Sequence, residues 1–117
     1  MSAIEDLLIA SLEAELPGVD VLPAGETISA LERDLVLVSF ADVVPVPEVP
    51  RGREYEGSLL AVSHLQTDNA AEIREDVLDA LDKIRGVRWT RATRAVLDDS
   101  WPAWEITVRF PIKFHDL

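Results

Sequence analysis

The chain contains no cysteine in its 117 residues, which excludes disulfide staples, thiolate nucleophiles and Cys-ligated zinc or iron–sulfur sites. No apolar run approaches the roughly 20 residues of a membrane span. The acids Glu5 and Asp6 stand where a secretory leader carries basic residues, so no signal segment is expected there. Cations are scarce: 11 Lys and Arg against 22 Asp and Glu, a net charge of −11. Gripping a nucleic-acid backbone takes clustered Lys and Arg, and this balance argues against it. The sequence also lacks G-x-x-x-x-G-K-[ST] and G-x-G-x-x-G phosphate loops, a G-x-S-x-G nucleophile turn, and the H-x-x-x-H or H-E-x-x-H spacing of a metal site.

What remains is a chain with 48% apolar residues, ordinary for one globular domain that buries a core without staples. The acidity has three readings: solubility through charge, a channel lining past which DNA slides without sticking, or DNA mimicry.

Ser2 and Glu5 fit a capping box, and Ile4, Leu8 and Leu12, with Leu7 and Leu16 beside them, form a helical apolar stripe that Pro17-Gly18 ends. Val19 to Leu22 reads as a short strand, and Gly25 to Asp34 as an ambiguous short element. Leu35 to Phe40 is a continuous β-branched run suited to a buried strand. From about 43 to 57 the prolines Pro45, Pro47 and Pro50 and the glycines Gly52 and Gly57 predict a long loop. Ser58 to Gln66 reads as a strand. Residues 69–85 read as a helix with Asn69 and Glu72 as a capping box and an apolar face of Ile73, Val77, Leu81 and Ile84. Lys83 and Arg85 in its last turn and Gly86 beyond it match the helix dipole and a glycine stop.

The last third reads as a β-hairpin. Trp104, Ile106, Val108 and Phe110 share one phase, and Glu105, Thr107 and Arg109 the other. A turn over Asp98 to Trp101 pairs Trp89 with Phe110 inside and Arg94 with Glu105 outside. Arg91 and Thr93 then fall on the inward phase, which a bulge or an intersubunit contact would explain. Trp89 and Trp104 read as core. The order α-β-(short element)-β-loop-β-α-β-β points to an α+β fold, mainly an antiparallel sheet with two amphipathic helices packed on one side.

Little here suggests catalysis. His64 lies in a predicted strand, where a hydrogen-bonded structural histidine is the plain reading, and His115 sits in the tail. Asp98-Asp99 reads as a turn. Neither a cofactor nor a metal is expected. The candidate contact residues are Arg51, Arg53, Glu54 and Tyr55 near the end of the long loop, Arg91 on the inward phase, and Trp101, which is either an exposed anchor or a local cap over Pro102.

Four segments together resemble the tail terminator proteins of long-tailed, siphovirus-type bacteriophages, most closely those of actinobacteriophages. They are the N-terminal helix ending in Leu16-Pro17-Gly18-Val19, the strand Tyr55 to Gln66, the capped helix 69–85, and the hairpin from Gly86-Val87-Arg88-Trp89-Thr90 to Trp104-Glu105-Ile106-Thr107-Val108. The resemblance implies a non-enzymatic virion protein of the neck and tail, assembled in the host cytoplasm. It implies a homo-oligomeric ring, six-fold in the family, that caps the head-proximal end of the tail tube, ends tube polymerisation and meets the head–tail connector. DNA passes through such a ring without specific binding, and no membrane is involved. A head–tail connector or tail tube subunit is the neighbouring alternative, and an acidic DNA-mimic inhibitor the alternative from another class.

Overall fold

The computed structural model describes residues 3–25, 31–46, 52–65 and 70–111. Two helices, α1 (Ala3–Glu15) and α2 (Ala71–Lys83), accompany five strands: β1 (Asp20–Pro23), β2 (Leu35–Pro45), β3 (Arg53–Val62), β4 (Arg88–Leu97) and β5 (Trp101–Pro111). The strands form one sheet in the order β1-β2-β3-β5-β4. β1 runs parallel to β2, and every other pairing is antiparallel. The fold is therefore α+β with a mainly antiparallel mixed sheet, as the element order implies.

Both helices cover the same face of the sheet. α1 presents Leu8, Leu12 and Leu16, four residues apart, and α2 presents Ile73, Val77, Ala80 and Leu81; all are buried. They close over Val36 and Val38 of β2, Leu59 and Ala61 of β3, and Ile106 and Val108 of β5. Fully burying one such side chain contributes about 1.5–3 kcal/mol, so this layer supplies most of the drive to fold. Arg74 of α2 lays its guanidinium 4.5 Å from the ring centroid of Trp104, a cation–π contact over the rim of that layer. On the opposite face a smaller cluster of Leu35, Val62 and Ala103 is packed by Leu31, Leu37, Leu60, Leu97 and Trp101.

Several sequence expectations shift. The stretch from 43 to 57 is not one long loop: β2 continues to Pro45 and β3 begins at Arg53, with the Val46 N–H bonded to the Gly52 carbonyl at 3.0 Å. Pro45 is tolerated because it ends its strand on the side that β1 never reaches, where no ladder donor is required. Residues 47–51, including Arg51, lie outside the described residues. β3 stops at Val62, so His64 stands beyond the strand. At the start of α2 the N-cap is Ala70, with φ 60° and no side-chain cap; Asn69, the expected cap, lies outside the described residues, as do the short element's residues 26–30 and His115.

The hairpin forms in a different register. Leu97 pairs with Trp101, Arg94 with Trp104 and Trp89 with Val108, so Trp101 opens β5 and does not sit in the turn. A one-residue slip changes which face each side chain takes. Arg94 therefore lies on the helix-covered face and Ala95 and Leu97 on the other. The register shifts between Trp89 and Arg91, with Thr90 unpaired; this bulge moves Arg91 and Thr93 off the helix-covered face. Trp89 faces the helix side but sits on the edge strand and is 41% exposed, so it is not core.

Candidate interaction surface

The most developed polar cluster lies on the face away from the helices, near the ends of β3, β4 and β5. Glu56 pairs across the sheet with Arg109, and Arg109 with Arg88. The side chains join this row to the next: Arg109 Nε donates to Glu56 at 3.0 Å, and Arg88 Nη2 reaches along the face to donate to Glu54 at 2.8 Å. Arg109 Nη1 stands 3.9 Å from the same Glu54 oxygen. Strand alternation places all four on one face: Glu56, Arg109 and Arg88 share one level, and Glu54 lies two residues along β3, opposite Pro111. Glu54 is 5% exposed, so its charge is held by the two arginines and not by water. It is committed within its own chain and is not a free surface contact.

The other candidate residues are scattered. Arg53 is exposed at the start of β3. Tyr55 lies between Val43 and Phe110 in a cross-sheet row on the helix-facing side. Arg91 is exposed on the edge strand β4. Trp101 packs into the small cluster at the opposite end of β5 from Phe110, the partner of Tyr55, about 30 Å away at strand spacing. Trp101 and the Arg53–Tyr55 group therefore belong to different ends of the molecule.

Two exposed edges bound the sheet. β4 is the outer strand on one side, and its residues are mostly exposed from Arg88 to Arg94. On the other side β1 pairs only with Leu35–Val38. The remaining half of β2, Ser39–Pro45, has no strand on that flank among the described residues, and Asp42 and Val43 are exposed. The edges differ in charge. Residues 85–97 carry Arg85, Arg88, Arg91 and Arg94 and no acid, with Arg88 paired to Glu54; the open flank Ser39–Pro45 carries Asp42 and no cation. Sequence reasoning missed Asp42, Val43 and Trp89 here. The prolines made Val43 look like loop, Asp42 fell between the strand ending at Phe40 and that loop, and aromatic character made Trp89 look like core.

Two cavities flank the helices. One of about 250 Å³ is lined by Leu7, Leu8, Ser11, Ile84, Val87 and Phe110, with Arg85 at its wall. A shallower one of about 430 Å³ between α1 and α2 gathers Glu15, Asp34, Asp76 and Asp79, with Lys83 as its cation. The exposed side of α2 adds Glu72, Glu75 and Asp82 to the same acidic surface. His64 is not near a cluster of ligands: its Nδ1 lies 2.6 Å from Asp34 Oδ1, and its backbone N–H donates to the same oxygen at 2.9 Å. That pair ties the end of β3 to the entry of β2. Nearby, Asp20 accepts from Arg33 at 2.7 Å, and this bond and its charge push the Arg33 guanidinium above its ordinary value. Among the described residues no group of three or more His, Asp or Glu side chains is arranged to hold a metal, and no helix is long and apolar enough to cross a membrane.

No protein-family model matches the chain, and no curated protein matches it. Among solved structures, one whose own name states no function aligns with 96% of this chain and 92% of its own length, at 15% identity and a TM-score of 0.53. The chain shares the fold of that protein over nearly its whole length.

Proposed function

We propose that this chain is a structural virion subunit that closes into a ring at the head-proximal end of a phage tail tube, ends tube growth and joins the tail to the head connector. The observation that carries the reading is the pair of unlike sheet edges: one basic, one acidic, on opposite sides of the same sheet. Unlike edges favour head-to-tail contacts, and head-to-tail contacts close into rings when the rotation allows. The segment resemblance to tail terminators supports the same class. So does the acidity: a ring with net charge −11 per subunit repels the DNA that threads it and leaves it free to slide.

The subunit's partners on this reading are further copies of itself, the tail tube protein and the head–tail connector, with no cofactor. A head–tail connector or tube subunit uses the same ring logic at a neighbouring position. Cryo-electron microscopy of the neck in assembled particles tests the reading. A single ring of this chain between tube and connector is the expected result. Density repeated along the tail makes it a tube subunit instead, a ring against the portal makes it a connector, and absence from the particle refutes the structural class.

A further inference from the structure

The helix layer leaves one strip of its sheet face open. α1 packs on β1 and β2, and α2 on β3 and β4, so the layer is closed from the β1 side inwards and its far rim is β4, the last strand. β4 turns Trp89, Ala92, Arg94 and Val96 to the helix side, opposite Val108, Ile106, Trp104 and Pro102 of β5. Ala92 is packed at the margin of the core, but Trp89 is 41% and Val96 60% exposed. Arg94 is exposed, and among the described residues it makes no ion pair. Trp and Arg are the residue types enriched among the anchors of protein contacts.

The other rim of the helix layer carries the complement. Glu15 of α1 stands 3.7 Å from Lys83 of α2, and Leu7 and Ser11 line the cavity that they share with Ile84 and Phe110, so this flank of α1 faces α2. At about 3.6 residues per turn, Asp6 and Glu13 fall on the opposite flank, with Ala10 beside them. All three are exposed. α1 contains no cation, and among the described residues neither Asp6 nor Glu13 makes an ion pair. β4 contains Arg88, Arg91 and Arg94 and no acid. One layer is thus bounded by an acidic helix flank with a small residue on it and by a basic strip with an open Trp.

The two rims also agree in direction and level. α1 passes Phe110 at Leu7 and Leu8 and leads on to β1 at Asp20, whose cross-sheet row runs through Leu35, Val62 and Ala103 to Ala95. β4 runs the same way, from Arg88 at the level of Arg109 to Ala95 at the level of Ala103. A neighbour set alongside in the same orientation, as a head-to-tail ring requires, brings Ala10 to the level of Trp89 and Glu13, about one turn on, towards Arg94. We infer that the outer flank of α1 in one copy packs on the β4 strip of the next, with Ala10 against Trp89 and Glu13 against Arg94, so that the helix layer continues from subunit to subunit. The inference rests on the ring reading and names its contact. The occupant is a second copy of this chain because each rim presents what the other lacks in charge, and Trp89 meets a flank small enough at Ala10 to approach it. Pairing two β4 strips, or two α1 flanks, sets like charges together and is disfavoured.

The absence of cysteine makes the test clean. The full chain is made as Glu13→Cys and as Arg94→Cys, both at exposed positions. Each variant alone and an equimolar mixture are treated with a short bismaleimide at high chain concentration, with size read by light scattering in parallel and folding confirmed by circular dichroism. The expected result is a covalent dimer from the mixture and from neither variant alone. A dimer from either variant alone overturns the inference in favour of a symmetric contact. An oligomer by scattering with no covalent product in the mixture overturns the α1 contact and leaves the ring standing on another. A chain that stays monomeric at millimolar concentration also overturns the contact, and the density of the neck then decides the ring by itself. Charge exchange gives an independent readout. Glu13→Arg or Arg94→Glu alone weakens association up to about fivefold per contact, and the two together restore it, whereas Trp89→Ala weakens it about tenfold. Failure of the double exchange to restore association overturns the assigned pairing.

Discussion

Replacing Arg88 with Ala should cost more stability than replacing Glu54 with Gln, although Arg88 is the more exposed partner of the pair. The Arg88 side chain is 55% exposed and the Glu54 side chain 7%. Loss of Arg88 removes the 2.8 Å charged hydrogen bond and leaves a buried carboxylate whose next cation, Arg109, stands 3.9 Å away and already serves Glu56 at 2.9 Å. Breaking a fully buried pair on one side costs about 3–5 kcal/mol. The remaining arginine reduces that here to roughly 2–3 kcal/mol, because it retains part of the attraction. Glu54→Gln leaves a neutral acceptor of the same shape and frees a guanidinium that water can reach, so about 1 kcal/mol is expected. The double variant no longer contains the stranded charge and should cost about 1–1.5 kcal/mol, well below the sum of the two singles. Urea unfolding followed by tryptophan fluorescence measures all four proteins, with an unchanged m-value required for the comparison. Additive losses, or a smaller loss in Arg88→Ala than in Glu54→Gln, would refute the claim that Glu54 is held by charge in a site that excludes water.

Three further substitutions probe local structure. Asp98 and Asp99 have φ of 50° and 58°, the combination of a type I′ turn, and Asp99 is exposed; Asp99→Gly should therefore raise stability by up to about 1 kcal/mol, read as a higher melting temperature. Gly86 has φ +88°, and a Cβ there meets the Phe110 ring at 3.6 Å; Gly86→Ala should cost about 1–2 kcal/mol in urea unfolding, almost all of it backbone strain, since the contact itself is ordinary. Leu12 is fully buried between α1 and the sheet, and Leu12→Ala should cost about 2–5 kcal/mol by the same measurement, with a cost under 1 kcal/mol contradicting the placement of α1.

The parts of the fold that were legible in the sequence are those where apolar spacing is unbroken. Leu8, Leu12 and Leu16, and Ile73, Val77 and Leu81, gave both helices and their buried faces, because a solvent-facing stripe of acids marks the other side of each. Leu35 to Val38 and Ile106 to Val108 gave the central strands. Strand ends were not legible where proline intervened. Pro45 reads as a loop residue, yet on an unpaired flank it removes no ladder bond and the strand runs to it. The hairpin register failed for a reason of the same kind. Asp98 and Asp99 adopt left-handed backbone, which aspartate tolerates but does not dictate, and Thr90 drops out of the ladder with no residue-type signature. A single slipped residue then exchanged the faces of Arg94, Ala95 and Leu97.

The candidate surface was legible only in its charges, and the reason lies in what makes an edge. A buried strand announces itself by composition, but an edge is defined by which neighbour is missing, and that is a property of topology. Among the described residues β2 is central along Leu35–Val38, which is wholly apolar, and an edge along Ser39–Pro45, which includes Ser39 and Asp42. Asp42 and Val43 become contact candidates only once β1 is seen to stop short. Arg91 was marked from the sequence because it broke the alternation of an otherwise apolar phase, and it proves to stand beside a bulge on an open edge. A cation that spoils a strand's pattern is thus informative in a particular way: it points to where the ladder is interrupted, and an interrupted, charged edge is either guarded against pairing or reserved for one partner. In a chain of net charge −11, four arginines and no acid in residues 85–97 make this edge selective for acidic groups.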